Sequence, residues 1–75
     1  MNIIAENFGY KITFYGGKEL MIEGHKGLSE YGENEISIRV RGGKIIVKGE
    51  RLYIDEINHE EISIRGNICS IGVEK

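Results

Sequence analysis

The stretch "EISIRVR" at residues 35–41 alternates strictly, with Ile36, Ile38 and Val40 on one face and Ser37, Arg39 and Arg41 on the other. Such a segment can only rest as a half-buried β-strand. The pattern returns as "EISIRG" at 61–66, 26 residues on, and the same offset superposes "GGK" at 16–18 on "GGK" at 42–44. Over the 26 positions from Gly16 to Arg41 the offset gives nine identities, and Leu20 with Ile46, Met21 with Val47 and Leu28 with Ile54 stay apolar on both sides. One domain over residues 1–75, with an internal repeat 16–41 and 42–67 of strand, turn, strand, turn, strand, is the reading this favours.

Fourteen isoleucines supply much of the apolar content, and β-branched side chains suit pleated surfaces. The pattern predicts an all-β fold. Expected strands lie near 10–15, 19–23, 26–31, 35–41, 44–48, 51–55, 61–65 and 68–73. A helix over "ERLYIDEINHEE", 50–61, is the less favoured reading. Glycine pairs between alternating runs mark hairpins. A three-residue "GGK" turn pairs Phe14 with Leu20 and Ile12 with Ile22. A two-residue turn at Gly42-Gly43 pairs Val40 with Ile45 and Ile38 with Val47. One at Gly66-Asn67 sets Ile64 opposite Cys69 and Ile62 opposite Ile71.

Two architectures satisfy seven to eight short strands: an antiparallel meander curled into a sandwich or open barrel, and a β-solenoid with one coil per repeat that stacks into an oligomer. The hairpin glycines favour the meander. A chain of 75 residues buries only about 60% of the surface its unfolded form exposes, so a homo-oligomer or other protein partner is expected to complete the core.

The net charge of −2 excludes a globally basic nucleic-acid binder. Cys69, the single cysteine, cannot form an internal disulfide and sits between Ile68 and Ile71, which predicts a small buried hydrophobe in a reducing, cytoplasmic setting. No apolar run reaches the length of a membrane span, and "MNIIAENFGYK" has no secretory-signal pattern.

Chemistry is sparse. Glu23, His25 and Lys26 in "EGHKG" are the strongest polar cluster, yet Gly24 and Gly27 break the strand there and no nucleophile is near, so the stretch reads as a corner whose side chains meet a partner. His25, His59 and Cys69 match no zinc spacing, so no metal or cofactor is expected. Arg39, Arg41, Lys44 and Lys48, with Arg65 on the repeated strand, form a basic outward row around Ile46. That row fits a protein interface, and in a rival reading an anionic lipid or nucleic acid. It lacks the interleaved aromatics of a nucleic-acid sheet. Tyr10, Tyr15, Tyr31 and Tyr53 are expected to rim the core.

The segments "YKITFYGG", "EGHKG", "GKIIVKG" and "EEISIRGNICSI", in this order over residues 10–74, resemble the YabP/YqfC family of sporulation proteins. Gly24 stands where that family usually has asparagine, an exchange that speaks for backbone conformation more than side-chain chemistry. The resemblance implies a non-enzymatic role in spore formation, in the mother-cell cytoplasm, with a membrane sporulation protein as partner. It implies no substrate, cofactor or catalytic residue.

Overall fold

The computed structural model describes residues 2–7, 9–16 and 18–75, with side chains from residue 9 onward. One antiparallel sheet is built from β1 (Asn2–Asn7), β2 (Tyr10–Tyr15), β3 (Glu19–Glu23), β4 (Gly27–Tyr31), β5 (Glu35–Val40), β6 (Gly43–Ile57) and β7 (Glu61–Glu74). Their spatial order is β1-β2-β3-β7-β6-β5-β4. The all-β expectation holds, and no described residue is helical.

Fifteen residues of β6 laid straight would span roughly 45–50 Å at about 3.3 Å per residue. The longest extent of the chain is 28 Å, so β6 and the 14-residue β7 must bend. Glu50 pairs with Asn67 and Tyr53 with Arg65, which leaves Arg51 and Leu52 opposite the single residue Gly66. That is a β-bulge, which bends the ladder and increases its twist. Arg51 takes the left-handed φ of 54°, and Gly66 has φ 134°. A Cβ on Gly66 would stand 2.6 Å from the Arg51 carbonyl oxygen.

Bending divides the sheet into two leaves that remain covalently and hydrogen-bond continuous. One leaf holds β1, β2, β3, the start of β7 and the end of β6; the other holds β4, β5, the start of β6 and the end of β7. Ile12, Leu20, Ile22, Ile62 and Ile64 from the first leaf form one buried cluster with Ile36, Ile38, Val40, Ile45 and Val47 from the second. Leu52, at the bend, joins them. The sheet therefore closes over its own apolar face, and its shortest extent of 22 Å is far more than one flat layer would have.

Several sequence expectations are corrected. Segments 44–48 and 51–55 are one strand, as are 61–65 and 68–73, while β1 was not anticipated. The sheet is single, so it is not a sandwich of separate sheets, and its antiparallel neighbours are not the coils of a solenoid. Gly66-Asn67 makes no turn, because the positive φ of Gly66 serves the bulge; the chain reverses instead at residues 58–60. Ile64 faces Ile54 and Ile62 faces Ile57 there, while Ile71 faces Val47. At the β5–β6 hairpin the turn is Arg41-Gly42, so Val40 pairs with Gly43, Ile38 with Ile45 and Ile36 with Val47. Register there differs from expectation by two residues, which preserves the inward face. A side chain on Gly43 would collide with the Glu74 carbonyl oxygen, which explains why the second glycine is needed inside the strand.

The β2–β3 register is as expected, Phe14 with Leu20 and Ile12 with Ile22; Gly17 of that turn lies outside the described residues. Cys69 is exposed rather than buried, at an irregularity where Lys48 pairs with Ser70 and Gly49 with Ile68. Ser63 faces outward as predicted but is buried, and its hydroxyl donates to Glu19 Oε2 at 2.9 Å. Glu19 also holds Arg65 at 3.1 Å, and Asp55 lies 3.3 Å from the same guanidinium.

Gly66→Ala should destabilise the fold by about 2–4 kcal/mol, since it combines a forbidden φ with a backbone collision. Thermal denaturation should show a Tm lower by roughly 10 °C or more. Gly72→Ala is the control: nothing lies within 4 Å of the added Cβ, so stability should change by less than about 0.5 kcal/mol.

Candidate functional site

β3 ends at Glu23, and Gly24 turns the chain with φ 83°. Its amide donates to the Glu60 carbonyl at 2.7 Å, and a Cβ there would run into the Gly9 carbonyl oxygen. Three chain reversals thus meet: Gly9 between β1 and β2, the Gly24–Lys26 corner, and residues 58–60 between β6 and β7. Left-handed tolerance at position 24 is confirmed, and the close approach to Gly9 adds a second demand that glycine alone meets in this packing.

His25 is half-buried within that junction. The Gly27 amide donates to His25 Nδ1 at 3.0 Å, so the proton sits on Nε2, which donates to the Asn58 carbonyl at 2.6 Å. Both ring nitrogens are spent on backbone. Asn58 completes the junction, its Oδ1 accepting from the amides of Glu60 at 2.9 Å and Glu61 at 2.8 Å in an Asx turn. The histidine read as a contact for a partner at this corner spends its ring on a structural bridge within the chain. Glu23 lies in the ladder between Lys11 and Glu61, and the exposed Lys26 donates its amide to the Arg39 carbonyl at 2.7 Å.

That last bond joins the corner to the basic row. Arg39 extends its guanidinium across Gly27, where a Cβ would meet Nη2 at 2.6 Å, and Arg41 lies at the hairpin tip with Cδ 3.6 Å from where a Gly9 Cβ would be. Along the outer face, register sets Gly27, Arg39, Lys44 and Glu74 in one row. Ser37, Ile46 and Gly72 form the next, and Glu35, Lys48 and Ser70 the third. Ile46 is half-buried between Lys44 and Lys48, with small residues on both sides. The row is therefore of mixed charge, since Glu35 and Glu74 stand beside the lysines, and Arg65 belongs to the other leaf. A shallow open cavity of about 360 Å³ lies between Ile46, Lys48, Ser70 and Val73. Sequence reasoning missed Asn58, Gly72 and Glu74, because each acts through a pairing that only the true register discloses.

The tyrosines are dispersed over β2, β4 and β6, with Tyr31 and Tyr53 exposed and Tyr10 packed on the core. Among the described residues no group of three histidine, cysteine, aspartate or glutamate side chains is placed to hold a metal, and no helix is long and apolar enough to cross a membrane.

His25→Ala removes two hydrogen bonds and should cost about 2 kcal/mol, seen as a Tm lower by roughly 10 °C. Hydrogen exchange at the Gly27 amide should accelerate in the same variant. Unchanged exchange at Gly27 would refute the bridging role.

The description "YabP family" belongs to the family model that matches residues 6–74. The Bacillus subtilis protein YqfC, itself described as uncharacterized, is 36% identical over 58 residues, which is 77% of this chain and 62% of that protein. The chain thus spans less than two thirds of that relative's length. No solved structure matches.

Proposed function

Because the chain belongs to the YabP family, we propose that it serves spore formation as a non-enzymatic assembly module, docking on a protein partner through the outer face of β5, β6 and β7. The observation that carries this reading is Ile46, an apolar side chain half-open on an otherwise polar face and flanked in register by Lys44 and Lys48. A central apolar anchor with a polar rim is the anatomy of a protein interface. Arg39 and Arg41 extend the rim toward the corner that carries Glu23 and Lys26. The partner this chemistry fits is a protein with an apolar knob among acidic residues. A membrane protein of the sporulating mother cell, with this chain on its cytoplasmic side, is the partner that the resemblance to the YabP/YqfC sporulation proteins suggests.

The rival reading, an anionic lipid or nucleic acid held by Arg39, Arg41, Lys44 and Lys48, is weakened by Glu35 and Glu74 in the same rows. Interleaved acids lower the local potential that either ligand would need.

In the sporulating host, Ile46→Asp should reduce heat-resistant spores to a level near that of the deletion strain, while the purified variant keeps its fold by circular dichroism. Lys44→Glu with Lys48→Glu should reduce capture of a protein partner from sporulating cells. Wild-type spore yield with Ile46→Asp would reject this face. Binding to anionic vesicles that the double variant abolishes and about 150 mM salt only weakens would promote the rival.

A further inference from the structure

Folding one sheet into two leaves exposes four strand edges: β1, β4, the end of β6 and the end of β7. Exposed edges invite pairing with another chain, and proteins block them with charges, bulges or shortness. β1 carries an irregularity between Ile3 and Ala5, and β4 is five residues long with another between Leu28 and Glu30. The end of β6 carries Glu50, Arg51, Asp55 and Glu56 and two irregularities. The end of β7 differs. Its pairing with β3 stops at Arg65, and from Ser70 to Glu74 it pairs regularly with β6 on one side and with no described strand on the other. Ser70, Gly72, Val73 and Glu74 are exposed, and Val73 is open by 49%.

We propose that Ser70–Glu74 is the contact between two copies of this chain, paired antiparallel about a two-fold axis at Gly72. This rests on the reading of the chain as an assembly module, and it supplies the copy-to-copy contact. Centring on Gly72 is the register that uses the whole regular stretch and keeps the pleat in phase. Ile71 then faces the partner's Val73, which extends the inward apolar row of Ile36, Val47 and Ile71 into the second copy. On the outer face, Glu74 lies between its own Lys44 and, beyond the partner's Ser70, the partner's Lys48. Glu74 makes no ion pair among the described residues of the single chain, so the dimer brings a second cation to a carboxylate that has none bound. An axis at Val73 would instead push Lys75 into the apolar row. The Gly72 pair joins the two outer faces, so that both Ile46 anchors look the same way.

Sedimentation of the 75-residue chain over a concentration series tests this. Wild type should associate to a dimer, and Gly72→Glu should raise the dissociation constant roughly tenfold or more, since like charges then face each other across the axis. The same change has open space in the single chain and adds a carboxylate diagonal to Lys44 and Lys48, so at a concentration where both proteins are monomeric its Tm should not fall below that of the wild type. A Cys69→Ser, Gly72→Cys variant should crosslink to a disulfide dimer on mild oxidation, because antiparallel partners lie within disulfide reach. A monomer at every concentration, a dimer indifferent to Gly72→Glu, or absent crosslinking would overturn the proposal. A monomeric chain whose Ile46→Asp variant still blocks spore formation would sink the dimer and leave the functional reading standing. A Gly72-dependent dimer in cells that sporulate normally without this protein would do the reverse.

Discussion

The bulge that sets Arg51 and Leu52 of β6 against Gly66 of β7 decides the architecture. The described strands form one sheet with one apolar face, and that face is covered because the sheet folds over itself. Two long strands that bend together achieve this, and the bend is held from outside by the β4–β5 connection. Gly49 donates its amide to the Asn34 carbonyl at 3.0 Å, Leu52 donates to the Glu33 carbonyl at 2.9 Å, and Asn34 Nδ2 donates to the Gly49 carbonyl at 3.0 Å. Arg51 is kept in a left-handed conformation that costs about 1 kcal/mol or more, a strain that persists because these bonds leave the backbone no alternative. Among the described residues the leaves then meet over eleven buried apolar side chains, and Leu52 at the fold line belongs to both.

Just beyond the C-terminal end of β6, the polar corner plays a matching part. Gly24, His25 and Asn58 fasten the first leaf's β3 to the β6–β7 turn, and Lys26 carries the chain across to Arg39 on the second leaf. In a residue set that resembles catalytic machinery on paper, the histidine has both ring nitrogens consumed by backbone hydrogen bonds. Histidine suits the position because a neutral ring accepts at one nitrogen and donates at the other, and so joins an amide to a carbonyl that are 31 residues apart in the chain, Gly27 and Asn58.

Which residues point inward was legible from the sequence, since period-two alternation survives any even error in register. Ile36, Ile38 and Val40 were placed on the core face correctly even though their β6 partners were misassigned by two positions. Glycine was the source of error, because a positive φ serves a turn and a bulge equally well. Gly42 makes a turn and Gly66 a bulge, and only the partner strand distinguishes them. The true reversal at Asn58 had a local signal in its side-chain cap, overshadowed by the more conspicuous Gly66-Asn67. β1 has no signature of its own in the sequence, because the six residues of "NIIAEN" show no sustained alternation. Parity places Arg39, Lys44, Ile46 and Lys48 on the outer face, but their neighbours Glu74 and Gly72 depend on β7 running past Gly66, which a turn at Gly66-Asn67 would not allow.

The same bend that closes the core also fixes how the surface can be used. A flat sheet of seven strands would have two edges, and folding it across β6 and β7 creates two more by parting the end of each from its outer neighbour. The end of β6 receives four charged residues, whereas Ser70–Gly72 and Val73 receive none, and Glu74 alone carries charge in the regular stretch. That asymmetry is not required by the core, because Gly72 faces outward and nothing lies within 4 Å of where its side chain would be. Irregularities, shortness or charges that block three edges and leave the fourth open are the pattern expected of a sheet that extends in one direction. Extension there adds to the leaf that carries Lys44, Ile46 and Lys48, so the edge and the outer face are two parts of one surface whose geometry a single bulge determines.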